Sequence, residues 1–404
     1  MNKTSNKFRH LVWPLVSLAL LLLFNAIFTD NFFKIEIKKQ DTSKESVQPA
    51  VPVELPAAAA EAAAQGEAAV QAVAPETAGQ QAPAKESKGV SIFGYYLYGT
   101  PIDILNQGAK VMVLAIGMTL VIATGGIDIS VGAVMAIAGA IAALLISLLD
   151  AGKFPGAAMG PDLYWVIPVV AALVLATVAG FWNGMLVAGF GIQPMVATLV
   201  LMVAGRGVAQ LITDGQIITF DNPGLVFLCN GHALFLPFSV WIVITMYVVA
   251  GLLTRKTALG LFIESVGNNE RASRYAGIEA RRIKWFTYVI CGFCAGVAGL
   301  LAASNIKCAD SNNAGLYLEL DAILATVIGG TSMAGGRFFL SGSLVGAILI
   351  QTLTTTMYMK NVSPAIVAVP KAMVVIIVCL LQSPVFRAKV LSIFVSKAAK
   401  GGVQ

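Results

Sequence analysis

Long apolar runs separated by short polar stretches make up most of this chain. A helix needs about 20 predominantly apolar residues to cross a membrane. Runs of roughly that length predict ten spans, at 11–28, 104–124, 131–149, 163–187, 195–213, 239–254, 285–304, 321–335, 338–357 and 365–382. The run at 321–335 is the shortest of them. The expected fold class is an all-α polytopic membrane protein.

A basic segment at 255–284 interrupts this pattern, with seven of the 27 Lys and Arg residues of the chain. Short loops rich in Lys and Arg stay on the cytoplasmic side of a membrane. Six predicted spans precede the segment and four follow it. Both termini are therefore expected in the cytoplasm, including a basic tail at 386–404.

The first span also needs to be distinguished from a signal peptide. The apolar run from Leu11 to Phe28 is long, and no small-residue cleavage site follows it, so residues 1–29 are interpreted as a transmembrane helix. Residues 41–89 then become rich in Ala, Pro, Glu, Gln and Ser. Such a segment buries too little apolar surface to offset its ordering entropy. We expect 30–94 to be a largely disordered outer loop and 95–385 to be the main body.

Composition narrows the function classes. The chain is 57% hydrophobic and 12% charged, whereas soluble proteins average about 25% charged residues. Its formal charge of +6 follows the membrane pattern, so no nucleic-acid partner is expected. There is no G-x-x-x-x-G-K-[ST] loop with which to hydrolyse ATP. Neither metal-ligand spacing nor a catalytic cluster is present, so we expect no enzyme activity, metal or cofactor in this chain.

The basic segment contains the local signals of a short helix. Asn268 or Asn269 can cap its N-terminus, and Glu270 suits the positive end of the helix dipole. Gly277 can adopt the left-handed conformation that ends a helix. These residues fit either a solvated connecting loop or a surface helix presented to a cytoplasmic partner.

A second motif, Gly126-Ile-Asp-Ile-Ser-Val-Gly132, divides two apolar runs. Its glycines relax the backbone, and Asp128 or Ser130 can cap the helix that resumes at Val131. The motif fits a tight cytoplasmic turn. It also fits a helix break inside the membrane, which is tolerated only where it lines a cavity.

Polar residues inside the later spans allow two interpretations each. Trp182, Asn183 and Gln193 could contact a polar solute, or they could serve helix packing. Arg206 is costly in an apolar span. It could contact a solute, or its guanidinium could extend to the nearby interface.

Together these segments resemble permeases of ribose-type sugar ABC importers. The matching motifs are Gly-x-Asn-x-x-Ala at 267–272 with Ala-Gly-Ile at 276–278, the segment 126–132, Trp-Asn-Gly at 182–184, 193–199 and 205–207. Within that family, 98–106, 204–213 and 312–322 are most similar to permeases that import galactofuranose. The resemblance covers about 95–385.

The resemblance implies a translocation subunit for a monosaccharide in a bacterial inner membrane, with a galactofuranose-like sugar first and ribose or another small sugar as the alternative. It also implies partners: an ABC ATPase that binds ATP and Mg, a periplasmic sugar-binding protein, a second identical or related permease, and membrane lipid. The ATPase-coupling residues would be Gly267, Asn268, Glu270, Arg271, Ala272, Arg274, Gly277 and Ile278. The pathway residues would be Asp128, Trp182, Asn183, Gln193 and Arg206. Candidates for binding-protein docking, in a loop that could equally be plain solvated surface, are Asp310, Asn312, Asn313 and Glu319.

Two rival classes have weaker support. An ion-coupled secondary transporter needs ionisable residues near mid-membrane, and the embedded charges here are few and near span ends. A membrane enzyme would need a catalytic constellation. The ten-span topology also places Cys229 and Cys308 in outer loops, where we expect both to be exposed. They could pair there if their Cα atoms lie within about 7 Å.

Overall fold

The computed structural model describes residues 9–29, 32–39, 95–150 and 164–363, and the single residues or short stretches 366, 367, 369–373, 376 and 380. The predicted low-complexity segment at 41–89 and the basic tail at 386–404 lie outside the described residues.

Helices dominate the described residues, as the apolar runs predict. In chain order they are α1 (Arg9–Phe28), α2 (Thr100–Ala123), α3 (Val131–Asp150), α4 (Val166–Gly184), α5 (Pro194–Ile212), α6 (Pro223–Asn230), α7 (Phe238–Arg255), α8 (Leu259–Asn268), α9 (Glu270–Tyr275), α10 (Ala280–Ile306), α11 (Leu318–Ile328) and α12 (Leu340–Met359). A π-helical turn, Met185–Gly189, extends α4. Seven of these helices are long and apolar enough to cross a membrane. The all-α polytopic fold class is confirmed, whereas the count of ten spans and the side of the termini remain predictions.

The predicted span at 321–335 is wrong in its bounds. Helix α11 has only 11 residues and ends at Ile328. Gly330, Gly335 and Gly336 all have positive φ, a conformation that glycine adopts without steric cost. The chain therefore leaves the helix at the glycine pair and runs as an irregular loop up to α12.

Helices α2, α3 and α10 form the centre of the bundle. In the most apolar stretch of each of these helices, 72% to 78% of the residues are buried. The corresponding share is 22% to 28% for α4, α5 and α7. Helix α10 packs on α2, α3 and α4, and α12 packs on α1, α2 and α11. The exposed faces of α4, α5 and α7 are apolar, so they require lipid or another subunit to cover them.

Small residues set the closest helix crossings, as expected where helices pack without water. A Cβ placed on Gly292 would lie 2.6 Å from the Ala176 carbonyl oxygen, and one on Gly180 would lie 2.5 Å from that of Tyr288. A Cβ on Gly299 would lie 2.3 Å from the Met135 oxygen. Helix α10 can therefore approach α3 and α4 at backbone distance.

The other regular elements among the described residues are three short antiparallel β-ribbons. They pair β1 (Glu36–Lys39) with β2 (Tyr95–Tyr98), β3 (Ile218–Thr219) with β6 (Cys308–Ala309), and β4 (His232–Ala233) with β5 (Leu236–Pro237). The β1–β2 ribbon joins the two ends of the low-complexity segment. Leu97 in this ribbon donates its backbone N–H to the Phe235 oxygen at 3.1 Å, so the ribbon is fastened to the bundle.

Because the β1–β2 ribbon connects the chain on both sides of the low-complexity segment, we expect this segment to be dispensable. We expect deletion of 43–88 to leave membrane insertion, unfolding temperature and uptake unchanged, because residues 40–42 and 89–94 still connect the two strands and loop length carries only a weak entropic cost. A larger deletion, 36–98, removes the ribbon itself and should lower the unfolding temperature. Equal losses in both variants would show that the segment has a structural role.

Cys229 and Cys308, the two cysteines of the predicted outer loops, differ in burial. Cys229 is fully buried at the end of α6, and its thiol donates to the Asn106 Oδ1 at 3.3 Å. Cys308 is partly buried, and both thiols are free. The predicted exposure of Cys229 is wrong, because the short helix α6 folds back onto α10 instead of lying in solvent.

Candidate functional site

The motif at 126–132 combines a turn with buried irregular backbone. Helix α2 ends at Ala123, and Gly125 turns the chain with φ of 81°. Residues 126–128 then have no regular secondary structure, and Asp128 and Ser130 are each 1% exposed. The motif is therefore a turn followed by a short, buried irregular segment, and its place in the cytoplasm or inside the membrane stays a prediction.

Asp128 organises the start of α3. Its Oδ1 accepts hydrogen bonds from the Ser130 backbone N–H at 3.0 Å and the Ser130 hydroxyl at 2.6 Å. Asn183 of α4 donates to the Ser130 Oγ at 2.7 Å and to Asp128 at 3.4 Å. The structure thus brings together two of the five pathway candidates, Asp128 and Asn183, in one buried polar cluster.

Two polar atoms of this cluster have no hydrogen-bond partner among the described residues: the Asn183 Oδ1 and the Tyr288 hydroxyl. A Cβ on Gly126 would lie 2.6 Å from that hydroxyl, so the ring of Tyr288 can occupy its place only beside a glycine. Buried polar groups without partners are costly. Each of these two atoms can therefore form a further hydrogen bond with a polar group.

Trp182 and Gln193 lie apart from this cluster. Trp182 is 49% exposed on the outer face of α4, and Gln193 is exposed just before α5. Both side chains lie on the exposed surface of the bundle, next to the apolar faces of α4 and α5. They can line a pathway only if a second subunit covers that face.

Arg206 has a role that the sequence did not suggest. Its guanidinium Nη1 donates to the backbone oxygens of Ser311 at 3.2 Å, Asn312 at 3.4 Å and Ala314 at 2.5 Å. A guanidinium presents several donors in a fixed fork, which suits a cluster of carbonyl groups. Arg206 therefore anchors the 310–315 loop to α5.

Replacing Arg206 with Met should release this loop. We expect faster backbone hydrogen exchange at 310–315, since hydrogen bonds from charged donors contribute about 1.5–3 kcal/mol. The matched control is Gln210→Met, which removes one exposed side-chain contact to Asn312 from the same helix. Equal exchange in both variants would contradict the anchoring role.

The anchored loop contains three of the four docking candidates, and the fourth, Glu319, lies in α11. Asp310 Oδ1 accepts from the backbone N–H groups of Asn312 and Asn313 at 3.0 and 3.1 Å, which orders the turn. Asn312 and Asn313 are exposed and available to a partner. Glu319 is only 3% exposed, because Gly132 approaches it from α3. This burial argues against Glu319 as a docking residue, and the docking role of the other three candidates stays a prediction.

The basic segment folds into two helices, α8 and α9, joined at Asn269. The Asn269 Oδ1 accepts from the Ala272 N–H at 3.0 Å, and Gly277 has φ of 83°. The predicted cap and terminator are both confirmed. Arg271 and Tyr275 project into solvent, with Tyr275 94% exposed.

Glu270 ties α9 to α10, a contact that the sequence did not predict. One carboxylate oxygen accepts from Lys284 at 2.6 Å and the other from Arg274 at 2.5 Å. The hydrogen bond from Lys284 is the main reason that the pKa of Glu270 is below its ordinary 4.5. A carboxyl group with a lowered pKa stabilises the folded state at any pH above its ordinary pKa. This stabilisation is lost as the pH falls through the lowered pKa. The contact is therefore fully formed at neutral pH.

Gly267 connects this segment to the bundle centre. A Cβ on Gly267 would lie 1.9 Å from the Ala123 oxygen and 2.5 Å from the Gly336 nitrogen. Gly336 itself donates to that same Ala123 oxygen at 2.9 Å. We call Ala123, Gly267 and Gly336 the glycine junction. At this junction the end of α8 packs against Ala123, the last residue of α2, which the 124–130 segment follows.

Comparison with known proteins agrees with this architecture. Residues 100–381 match the family model described as branched-chain amino acid transport system / permease component. The galactofuranose transporter permease protein YtfT of Escherichia coli K12 is 54% identical over 292 residues, 72% of this chain and 81% of that protein. The fructose import permease protein FruF of Bifidobacterium longum is 40% identical, over 71% of this chain and 78% of its own. The ribose import permease protein RbsC of Escherichia coli K12 is 34% identical, over 72% and 87% respectively.

No solved structure matches the chain significantly. The family model covers well over half of the chain, and the relatives match along most of their own length. The chain therefore belongs to the permease component family of the branched-chain amino acid transport type, and its relatives within that family are sugar import permeases.

Proposed function

We propose that this chain is the translocation subunit of an ATP-driven importer of a monosaccharide in a bacterial inner membrane. Its relatives are named as galactofuranose, fructose and ribose permeases, and the identity to the galactofuranose protein is the highest of these three. A galactofuranose-like sugar is therefore the first candidate, with ribose or another small sugar as the alternative. The chain itself carries no ATPase motif, so ATP and Mg would be bound by a partner subunit.

The observation that carries this proposal is the geometry of α8 and α9. The two helices form a surface segment in which Glu270 is paired with Arg274 and Lys284, while Arg271 and Tyr275 remain exposed. Aromatic and Arg side chains are enriched where proteins bind partners. The segment rests on the glycine junction, so movement of α9 would be passed to the end of α2 and to the polar cluster around Asp128.

The remaining partners follow from the same architecture. A second permease, identical or related, would cover the exposed apolar faces of α4 and α5 and complete a pathway that includes Trp182 and Gln193. A periplasmic sugar-binding protein would dock at Asn312 and Asn313 on the loop anchored by Arg206. Lipid would surround the rest of the bundle.

The coupling role is tested by Arg271→Glu. Arg274 is a poorer target because it already pairs with Glu270. We expect the variant to insert normally but to lose sugar uptake and permease-dependent ATPase stimulation several-fold, since reversing a charge that faces a partner weakens association. Lys256→Glu is the matched control, because it makes the same charge change in the same basic segment outside α8 and α9. Wild-type uptake by the Arg271→Glu variant would refute the docking assignment.

A further inference from the structure

A cavity of about 860 Å³ lies between α2, α11, α12 and the helical residues around Lys371. Its volume is within the ~300–1,000 Å³ typical of small-molecule sites. Leu97 and Tyr98 of β2, with His232 and Pro237 of the β4–β5 ribbon, lie at its edge. These ribbons belong to the predicted outer side. None of the five pathway candidates named from the sequence is among the lining residues.

One wall of the cavity is polar and comes from a single turn of α2: Asn106, Gln107 and Lys110. The Gln107 Oε1 accepts from the Lys110 ammonium at 3.2 Å and from Asn305 at 2.7 Å. Among the described residues no carboxylate forms an ion pair with Lys110. An ammonium group has three N–H donors, so two of them remain available to a ligand.

The amide groups of the wall are also only partly used. The Asn106 Oδ1 accepts from Ser239 at 2.5 Å and from the Cys229 thiol. Among the described residues no acceptor is bonded to the amide N–H groups of Asn106 or Gln107. Gln351 of α12 donates to Thr355 and keeps its carbonyl oxygen as an acceptor. Donors and an acceptor thus face one space from α2 and α12.

The charges of the lining balance. The charged lining residues are Lys110, Lys371, Asp103 and Asp321, and Lys371 pairs with Asp321 at 2.9 Å. A carboxylate or phosphate ligand would add an uncompensated charge, which is costly away from water. A neutral ligand rich in hydroxyl groups can use the free donors and acceptor without that cost.

The other wall of the cavity is apolar. It contains the rings of Tyr317 and Tyr358 and the side chains of Leu316, Leu318 and Leu324. A sugar ring has an apolar C–H face as well as its hydroxyl groups. A lipid chain would suit the leucines but would leave the amides and Lys110 without hydrogen bonds.

We propose that this cavity is a saccharide site within a single permease subunit, in which Asn106, Gln107, Lys110 and Gln351 bind the hydroxyl groups of a neutral monosaccharide. The inference rests on the proposed function and adds to it a receiving site on the outer side of each subunit. The sugar would be held there by one chain, separately from the Asp128 cluster and from any surface shared with a second permease.

The test uses saturation-transfer NMR of the full chain in detergent, which detects weak binding, with D-galactose, D-fructose, D-ribose and L-arabinose as probes. We expect a saturable signal from at least one sugar with the permease alone. Lys110→Met should weaken it at least about tenfold through loss of a charged hydrogen-bond donor. Lys360→Met, an exposed lysine outside the lining, should bind as the wild type does. Thr354→Trp, which fills the cavity, should abolish binding independently of Lys110.

Uptake by the importer, reconstituted with its ATPase and binding protein, distinguishes failure of the saccharide site from failure of the proposed function. If the complete importer moves one of the sugars but the permease alone gives no saturable signal, and Lys110→Met transports normally, the site is refuted and the proposed function stands. If the complete importer moves none of them, the proposed function fails and the site falls with it. A phospholipid that copurifies with the wild type and is lost in Thr354→Trp would show that the cavity holds lipid, which overturns the site.

Discussion

Replacing Gly267 with Ala is expected to abolish sugar uptake while leaving membrane insertion intact. The added Cβ would lie 1.9 Å from the Ala123 oxygen and 2.5 Å from the Gly336 nitrogen. Both are backbone atoms, joined to each other by a hydrogen bond, so neither can rotate away as a side chain would. Overpacking of this kind costs about 1–3 kcal/mol, and loss of the Gly336–Ala123 bond would add about 0.5–1.5 kcal/mol. The glycine junction must therefore open.

Opening the junction separates α8 from the end of α2. Docking of the ATPase at Arg271 would then no longer move the 124–130 segment, so hydrolysis should become independent of sugar while uptake is lost. The measurement is uptake and ATPase rate in proteoliposomes, with the unfolding temperature and the amount of inserted protein determined on the same samples.

Gly251→Ala is the matched control for this substitution. Gly251 lies inside α7, and a Cβ there would meet no atom within 4 Å. Ala is favoured over Gly in a helix interior by about 1 kcal/mol, so this variant should be as stable as the wild type or slightly more stable, with normal uptake. Normal coupled uptake by Gly267→Ala would contradict the transmitting role of the junction.

The parts of the fold that sequence predicted are those set by local chemistry. The long helices agree with the apolar runs to within a few residues, because a helix that crosses a membrane needs an apolar run of about its own length. Asn269 as cap and Gly277 as terminator depend only on neighbouring backbone groups. The apolar run of α11 continues past Ile328 and therefore predicts a longer helix. Glycines in the loop that follows adopt positive φ, and the helix ends there.

Contacts between distant segments could not be predicted in the same way. Arg206 binds backbone carbonyl groups, and every residue has such a group, so the sequence carries no sign of the partner. Glu319 is buried because Gly132 and Gly315 approach at backbone distance, a contact across almost two hundred residues. The cavity wall at Lys110 could not be predicted for a related reason. Asn305, which donates to Gln107, and Gln351, which also lines the cavity, come from two other helices.

Asp128 allows a test of whether the buried cluster needs a hydrogen-bond acceptor or a charge. Asp128→Ala would remove the acceptor for the Ser130 N–H and hydroxyl groups and for Asn183. Loss of a helix-start acceptor costs about 0.5–2 kcal/mol, and each buried donor left unpaired costs about 1–3 kcal/mol. We therefore expect Asp128→Ala to lower stability by about 2–4 kcal/mol, measured as a reduced unfolding temperature in detergent, with uptake reduced in parallel.

Asp128→Asn is the informative companion, because it keeps an acceptor oxygen in the same shape and removes only the charge. Its new amide N–H groups enter a cluster that also contains the Asn183 Oδ1, a buried acceptor with no hydrogen-bond partner among the described residues. We expect the unfolding temperature and the uptake of Asp128→Asn to stay close to those of the wild type. A variant that is fully stable but does not transport would show that the carboxylate charge itself acts in translocation, and that hydrogen bonding at the start of α3 is not its main role.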